Sequence, residues 1–313
     1  MKISGVINKI TSYSLKELFT TFILLLFLVF ANPLSAEEKS ITLGAKAFTE
    51  GYILAEIAKQ LLEKNGFKVR QKHGAGTNIV RKSLEYGEID LYYEYTGTAY
   101  AVFYKQEDLS IMSDSNKLYR WIKEKDKEKN LVWLDPLKFN NSYILLMKRK
   151  KAEEMNITTI SEMSTILKKD SKALSIGLNP EFKERPDGFK SLMKVYGFYI
   201  PYKNLKTMDK GITYLALTKD KIDVAMGYAT DGRIRHYGLI ALLDDKEFFP
   251  VYNPSPVIRK EVLDNYPEVE KFLKVLTEKL TLKDIKLLNY YVDIEHKDIV
   301  SVCRKWMKEN GLL

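Results

Sequence analysis

The chain has 313 residues, a formal net charge of +9 and 45% hydrophobic residues. Basic residues alternate with acidic ones, as in 123–129, and there is no arginine-rich block or zinc-ligand spacing. A nucleic-acid-binding function is therefore disfavoured. A single cysteine, Cys303, excludes an internal disulfide and is typical of core packing. Three scattered histidines, His73, His236 and His296, do not favour a metal site.

The N-terminal segment has the composition of a secretory signal peptide. Lys2, Lys9 and Lys16 precede or flank the start of an apolar stretch from Phe22 to Ala31, and small and polar residues follow as far as Ala36. The stretch is shorter than the ~20 residues of a spanning helix, which favours a cleaved signal over an uncleaved anchor. We expect cleavage after Ala36 and an exported, periplasmic protein. No cysteine follows the apolar stretch closely enough to be lipidated.

Removal of residues 1–36 would leave 277 residues and lower the net charge to +7, because the segment carries three lysines and one glutamate. This length exceeds one simple core and suits two lobes of about 100–150 residues each. We predict that lobe 1 comprises residues 37–139 and 249–313 and that lobe 2 comprises residues 140–248. The chain would cross between the lobes twice, near Phe139 and Phe249.

Apolar periodicity predicts strands and helices that alternate along the chain. The first part has strands at Ile41–Ala45, Lys68–Lys72 and Glu88–Tyr95, and helices at Thr49–Asn65 and from 74–78 to Tyr86. The second part has strands at Ser142–Lys148, Leu174–Leu178, Val224–Tyr228 and Leu239–Leu243, helices near Thr159–Lys168, Asp187–Tyr196 and Lys210–Lys219, and further helices within Pro267–Gly311. This order predicts α/β lobes with mostly parallel sheets.

Tyrosine is frequent, with 20 residues, and several lie where a predicted strand begins or ends. Tyr95, Tyr143 and Tyr228 occupy strand ends, and Tyr252 lies in an apolar loop that contains prolines. Binding residues gather at such positions on a rigid scaffold. Aromatic faces suit a trimethylammonium group, which cannot donate hydrogen bonds. The alternative is that each tyrosine is ordinary half-buried core.

Two basic residues fit a carboxylate-binding role. Lys46 ends the first strand just before a helix, and Arg185 lies in a loop that enters another helix. A cation beside a helix N-terminus makes a good seat for a carboxylate, and Thr98 could add a hydroxyl donor. The alternative is that both basic residues are solvated surface and that Thr98 is a turn residue.

Motifs of known catalytic sites are missing from the sequence. There is no Gly-x-Ser-x-Gly elbow, Walker loop, His-x-x-x-His pair or dinucleotide glycine fingerprint. The segment 74–78 at a helix start is superficially similar to a phosphate loop but lacks the Lys-Ser/Thr pair. Nothing in the sequence calls for catalysis or for a cofactor.

Five stretches carry a resemblance to a known family: Gly44–Glu50, Asp90–Thr98, Phe182–Gly188, Tyr228–Ile234 and Asp244–Tyr252. They span nearly all of the chain after residue 36, and the Glu-Tyr-Thr-Gly-Thr and Tyr-x-Thr-Asp-Gly-Arg-Ile elements are quite specific. The sequence resembles the substrate-binding proteins of glycine betaine/carnitine/choline ABC importers.

The resemblance implies a type II periplasmic-binding-protein fold, in which two α/β lobes close around a ligand cleft like a hinge. It implies a cation cage and a carboxylate site, formed respectively by Tyr95, Tyr143, Tyr228, Tyr252 and Asn141, and by Lys46, Thr98 and Arg185. It also implies a monomeric, non-enzymatic protein that delivers its small quaternary-ammonium ligand to a permease coupled to an ATPase.

Gly51 departs from the family pattern, since some relatives have glutamine after the Thr-Glu pair. This difference leaves open which of glycine betaine, proline betaine, carnitine and choline fits, and it leaves room for a bulkier betaine such as ergothioneine. A binding protein for an amino acid or a polyamine, and a secreted enzyme on the same scaffold, are the remaining alternatives.

Overall fold

Two five-stranded sheets position the residues singled out above. The computed structural model describes residues 38–209 and 211–313, so the predicted signal peptide lies outside the described residues. The first sheet has the order β2-β1-β3-β10-β4 and contains β1 Ser40–Lys46, β2 Lys68–Ala75, β3 Leu91–Tyr95, β4 Leu131–Trp133 and β10 Pro254–Arg259. The second has the order β7-β6-β8-β5-β9 and contains β5 Tyr143–Lys148, β6 Ile176–Leu178, β7 Leu205–Thr207, β8 Val224–Tyr228 and β9 Leu239–Ala241.

Helices connect most of these strands. Those before β5 are α1 Thr49–Lys64, α2 Thr77–Glu85, α3 Thr96–Thr98, a π-helix at Ala99–Phe103, α4 Leu109–Met112, α5 Ser115–Asp126 and a 3-10 turn at Lys127–Lys129. Those between β5 and β9 are α6 Arg149–Met155, α7 Ile160–Lys169, α8 Pro180–Glu184, α9 Phe189–Tyr196, a 3-10 turn at Tyr202–Asn204, α10 Ile212–Thr218 and α11 Arg233–His236. The C-terminal helices are α12 Lys260–Asn265, α13 Glu268–Lys279, α14 Leu282–Asp293 and α15 Ile299–Glu309.

The prediction of mostly parallel sheets is wrong, because both sheets are mixed. In the first sheet β1 pairs in parallel with β2 and β3, whereas β10 pairs antiparallel with β3 and β4. In the second, β6 pairs in parallel with β7 and β8, whereas β5 pairs antiparallel with β8 and β9. Each sheet thus contains one strand that runs opposite to its neighbours, β10 in the first sheet and β5 in the second.

The chain passes from the first sheet to the second between Trp133 and Tyr143, and it returns between Ala241 and Pro254. Both sheets belong to one compact unit, Ser40–Leu313. The lobe boundaries predicted near residues 139 and 249 fall within these two connecting segments and remain a prediction.

Several predicted elements differ in their ends. The third strand begins at Leu91 rather than Glu88, because the amides of Glu88 and Ile89 both donate to the Ser83 carbonyl and close a turn after α2. The helix predicted from Asp187 begins at Phe189. The strand predicted to reach Leu243 ends at Ala241.

The C-terminal helices pack against α1 and complete a large core with the first sheet. Helix α14 begins with a capping box, in which the Thr281 hydroxyl accepts from the Asp284 amide and Asp284 accepts from the Thr281 amide. Cys303 is fully buried in this core, and burial raises the pKa of its thiol. None of the helices in the described part of the chain is long and apolar enough to span a bilayer.

A buried ion pair ties α2 to α5 beneath the first sheet. Arg81 donates to both oxygens of Asp126 at 2.7 and 2.6 Å, and the Trp133 Nε1 donates to the same carboxylate at 2.6 Å. The Tyr104 hydroxyl also donates to Asp126. Asp126 is fully buried and Arg81 is 2% exposed, so the pair depends on its hydrogen bonds to offset the loss of water.

We expect Asp126→Asn to lower the free energy of unfolding by about 2–4 kcal/mol, because buried Arg81 would lose the carboxylate that accepts from both of its Nη atoms and would be left with the Glu85 carboxylate at its Nε. Urea unfolding followed by circular dichroism measures this change. The matched control is Asp264→Asn, which removes an exposed partner of Lys260 and should leave stability nearly unchanged. Equal effects of the two substitutions would contradict the assignment of the buried pair.

Candidate ligand-binding site

One cavity contains every residue that the sequence analysis singled out for ligand binding. It is lined by the predicted residues Lys46, Tyr95, Thr98, Asn141, Tyr143, Arg185, Tyr228 and Tyr252, together with Phe48, Thr77 and Glu181. These residues come from both sheets and from both connecting segments. The structure therefore brings the predicted cage and the predicted carboxylate site together, while their roles in binding remain predictions.

Strand ends position three of the four tyrosines. Because β5 runs antiparallel to β8, its first residue, Tyr143, pairs with the last residue of β8, Tyr228, and their ring centroids are 5.3 Å apart. Tyr95 is the last residue of β3 in the other sheet. Tyr95, Tyr143 and Tyr252 are at most 6% exposed, so these rings are buried, yet they also line the cavity.

Three further ring contacts, made by Tyr252 and Phe48, complete the aromatic wall. Tyr252 meets Tyr143 edge-on at 5.6 Å. Phe48, which the sequence analysis did not assign, stacks on Tyr228 at 5.9 Å and lies 5.8 Å from Tyr95. The sequence position of Phe48, between Lys46 and helix α1, could have predicted this role, because the segment between a strand end and a helix N-terminus faces the cleft in such sheets. We call the rings of Phe48, Tyr95, Tyr143, Tyr228 and Tyr252 the aromatic cage.

Lys46 lies at the end of β1 with its ammonium inside the cavity wall. The Nζ donates to Glu94 Oε1 at 2.9 Å and lies 5.2 Å from the centre of the Tyr95 ring. Lys46 is 7% exposed and Glu94 is fully buried. A lysine ammonium carries three donors, so two N–H groups beyond the Glu94 bond can reach a ligand.

Arg185 lies between α8 and α9 and is held in one orientation. Its Nε and Nη2 donate to the two oxygens of Asp187 at 2.7 and 2.6 Å, and Nη2 also donates to the Thr98 hydroxyl at 3.2 Å. The guanidinium lies over the Tyr143 ring at 5.2 Å. Because Thr98 accepts from Arg185, its own O–H is available to donate. The solvated-surface alternative is wrong for both basic residues, since Arg185, like Lys46, is 7% exposed.

A hydrogen bond between two helices closes one side of the cavity. Thr77, the first residue of α2, donates to Glu181 of α8 at 2.6 Å, and Glu181 also accepts from Arg185 Nη1 at 3.4 Å. Sequence reasoning missed both Thr77 and Glu181. The segment 74–78 was considered only as a phosphate loop, whereas its threonine contributes a side chain to the cavity wall.

A carboxylate lies directly behind the cage. Glu50, in the first turn of α1, is 2% exposed and accepts hydrogen bonds from the side chains of Tyr95 and Asn141, which line the cavity. Burial raises the pKa of Glu50, and its hydrogen bonds oppose that shift. Glu50 belongs to one of the stretches that carry the family resemblance, but its sequence position gave no indication of this role.

The space enclosed by these side chains is small. Its volume is about 30 Å³, which is room for roughly one or two water molecules. A trimethylammonium compound is larger than this volume. Among residues 38–209 and 211–313, no group of three or more His, Cys, Asp or Glu side chains could hold a metal ion.

Gly51 allows a close approach between α1 and the end of β1. A Cβ atom at this position would lie 2.7 Å from the Lys46 carbonyl oxygen and 3.3 Å from the Phe48 ring. The first of these contacts is with backbone, which cannot move without shifting Lys46. The space beside Gly51 is therefore occupied by Lys46 and Phe48, which differs from the expectation that the missing side chain leaves room for a larger ligand.

Comparisons with known proteins agree on one family. A family model described as the substrate-binding domain of ABC-type glycine betaine transport systems matches residues 39–309. The chain is 35% identical over 283 residues to the glycine-betaine-binding protein of Pseudomonas aeruginosa, covering 89% of this chain and 90% of that protein. It is 34% identical over 306 residues to the ergothioneine transport permease/ergothioneine binding protein EgtU of Helicobacter pylori, covering 95% of this chain and 53% of that protein, about half its length. A crystal structure of a glycine betaine/carnitine/choline ABC transporter has a TM-score of 0.71 at 28% identity, covering 87% of this chain and 99% of that one.

We expect Gly51→Ala to destabilise the protein by about 1–3 kcal/mol through overpacking against the Lys46 carbonyl. Alanine normally stabilises a helix relative to glycine, so the expected sign is opposite to that of helix propensity. Thermal unfolding measures the effect. The control is Gly76→Ala, where a Cβ would meet no atom within 4 Å and where the N-cap position limits the loss to under about 1 kcal/mol. A melting temperature of Gly51→Ala at or above that of the wild type would contradict the close approach.

Proposed function

Because the chain belongs to the family of substrate-binding domains of ABC-type glycine betaine transport systems, we propose that it captures a betaine and delivers it to an ABC importer. A betaine carries a quaternary ammonium and a carboxylate, and glycine betaine is the first candidate. The observation that carries this proposal is the meeting of an aromatic cage with Lys46, Thr98 and Arg185 in one buried cavity.

The cage supplies the binding energy for the cation. A desolvated aromatic face contributes roughly 0.5–2 kcal/mol to a bound cation. Four or five such faces together contribute about 2–10 kcal/mol, which is comparable at its upper end with the ~8 kcal/mol of a micromolar affinity. Asn141 lines the same cavity and presents a polar group beside the ammonium.

Lys46, Thr98 and Arg185 would receive the carboxylate. The two uncommitted N–H groups of Lys46, the hydroxyl of Thr98 and the oriented guanidinium of Arg185 are donors of the kind that bind carboxylates strongly. This arrangement favours carboxylated betaines over choline, which has a neutral hydroxyl instead.

Capture would proceed by closure of the two α/β lobes around the ligand. The small volume between the cavity walls supports an entry step in which they separate and a binding step in which they close. Closure removes water and strengthens both the cation–π and the carboxylate contacts.

Ergothioneine is a second candidate, favoured by the 34% identity to the Helicobacter pylori protein named for ergothioneine transport and binding. It is also a betaine, so the cage and the carboxylate donors would keep the same roles. An amino acid or a polyamine would require an acidic group that faces its ammonium. Glu181 lines the cavity, but it accepts hydrogen bonds from Thr77 and Arg185.

The delivery step would take place outside the cytoplasm. A signal peptide cleaved near Ala36 would export the chain, and the loaded monomer would dock on a permease that is driven by an ATPase. No catalytic step belongs to this proposal.

Isothermal titration with glycine betaine, proline betaine, carnitine, choline and ergothioneine tests the ligand. We expect Tyr228→Ala to weaken binding at least about tenfold, because one cage face is lost. Tyr199→Ala is the matched control, since Tyr199 is 65% exposed and is not one of the residues that line the cavity. If the wild-type protein bound none of these quaternary amines, the proposed function would be wrong.

We expect Thr98→Val to weaken glycine betaine binding about tenfold, the order expected for one hydrogen bond to a charged group, and to affect choline much less. The ratio of the two dissociation constants is the readout, because general damage to the cavity would change both. Wild-type binding of choline as tight as that of glycine betaine would rule out the carboxylate role.

A further inference from the structure

Glu50 is a buried carboxylate whose hydrogen-bond donors among residues 38–209 and 211–313 are all neutral. Its Oε1 accepts from the Tyr95 hydroxyl at 2.7 Å and from Asn141 Nδ2 at 3.0 Å. Its Oε2 accepts from the Thr230 hydroxyl at 2.6 Å and from Asn289 Nδ2 at 3.4 Å. The four donors come from four separate segments of the chain, so this geometry is strongly specified.

Other acids at the cleft have a cationic partner. The pairs are Glu94 with Lys46, Asp187 and Glu181 with Arg185, and Asp231 and Asp293 with Arg233. Within the described residues, Glu50 forms no such ion pair. A buried carboxylate without a counter-ion is costly even when it is hydrogen-bonded. Arg233 lines the same cavity as Glu50 but pairs with Asp231 and Asp293, so the lack of an ion pair at Glu50 calls for an explanation.

The cavity that is lined by the aromatic cage lies close enough to Glu50 for a bound cation to interact with its carboxylate. Two of its donors, Tyr95 and Asn141, are themselves walls of the cavity, so Glu50 lies one side chain behind the aromatic cage. Glu50 also lines a neighbouring cavity that shares Phe48, Asn141 and Tyr228 with the first. Two charges that are separated by a single side chain interact strongly where water is excluded.

We propose that Glu50 is the counter-charge of the ligand's quaternary ammonium. This inference rests on the proposed function and adds a residue to it. Glu50 is a positioning residue that orients Tyr95 and Asn141 through hydrogen bonds, and its carboxylate, ionised in the loaded protein, attracts the cation across the cage wall. Ligand binding would thereby supply the cationic partner that Glu50 lacks in the part of the chain that the structure describes.

A purely structural role makes a different prediction. If Glu50 only joins four segments, its loss should weaken all ligands of the same shape equally. A counter-charge should instead favour a cation over an uncharged group of equal size. Glycine betaine and 3,3-dimethylbutanoate form the required pair, because they share shape and carboxylate and differ by a nitrogen cation in place of a carbon.

The experiment measures both dissociation constants by isothermal titration in the wild type, Glu50→Gln and Glu50→Asp. We expect Glu50→Gln to reduce the preference for glycine betaine over 3,3-dimethylbutanoate about five- to tenfold. Glu50→Asp keeps the charge and should retain most of the preference. The rings of the cage are not substituted in any of the three proteins, and Glu50→Asp controls for a change in their orientation, because it alters the side chain but keeps the charge.

An unchanged preference in Glu50→Gln, with both ligands weakened equally, would overturn the counter-charge and leave a structural role. An equal loss of preference in Glu50→Asp would assign the effect to shape and also overturn it. In either case the proposed function would stand, since the wild type still binds glycine betaine. A wild type that binds no quaternary amine would overturn both proposals.

A second measurement does not depend on the folding of the variants. The carboxyl ¹³C resonance of Glu50 in the wild-type protein loaded with glycine betaine reports its ionisation. We expect the chemical shift of a carboxylate. The shift of a protonated carboxyl group in the loaded protein would overturn the inference.

Discussion

The ion pair between Arg185 and Asp187 holds the cavity in shape. Asp187 accepts from Arg185 through both oxygens and from the Tyr252 hydroxyl at 2.6 Å. Arg185 in turn reaches the Thr98 hydroxyl and covers the Tyr143 ring. Thr98 follows β3 of the first sheet, whereas Tyr143 begins β5 of the second. A single charged pair therefore connects the Tyr143 ring to the Thr98 hydroxyl, and it connects elements of the two sheets. The burial of this pair requires that each of its hydrogen bonds be kept.

Compensated charge also constrains what the cavity can hold. Lys46 and Arg185 are each paired with a buried acid, Glu94 and Asp187 respectively. Glu181, which lines the cavity, is a third acid and also pairs with Arg185. The donors remain directional, but these groups carry no net positive charge, so the cavity is poorly suited to an anion alone. The aromatic faces favour a cation, and the remaining donors favour a carboxylate. A zwitterion presents both groups, so its cation can contact the aromatic faces while its carboxylate accepts from the remaining donors.

The positions of the site residues were predictable where they depend on local rules. Lys46 and Tyr95 end the neighbouring strands β1 and β3 of the first sheet, and strand ends meet at one edge of a sheet, so the meeting of these two follows from the sequence pattern. Their meeting with Tyr228 of the second sheet was implied by the family resemblance. Glu50, Thr77 and Glu181 were not predictable in the same way. Their roles depend on contacts between segments that are far apart in sequence, such as Thr77 with Glu181. An acid in the first turn of a helix is also common for reasons of helix electrostatics alone, so the sequence position of Glu50 carried no signal.

The mixed character of the sheets was hidden for a different reason. Apolar periodicity predicts a strand but not its direction, and β10 was missed altogether because it contains Pro254 and Pro256, residues that argue against an interior strand. The carbonyls of both prolines accept from the amides of Leu137 and Leu134. Since the nitrogen and the oxygen of one residue face the same side of a strand, the missing N–H groups also face this irregular segment. The pairing of β10 with β3 consequently loses no hydrogen bond to the two prolines. Tyr252, two residues before β10, is thus held beside the end of β3 by a strand that the proline rule argues against.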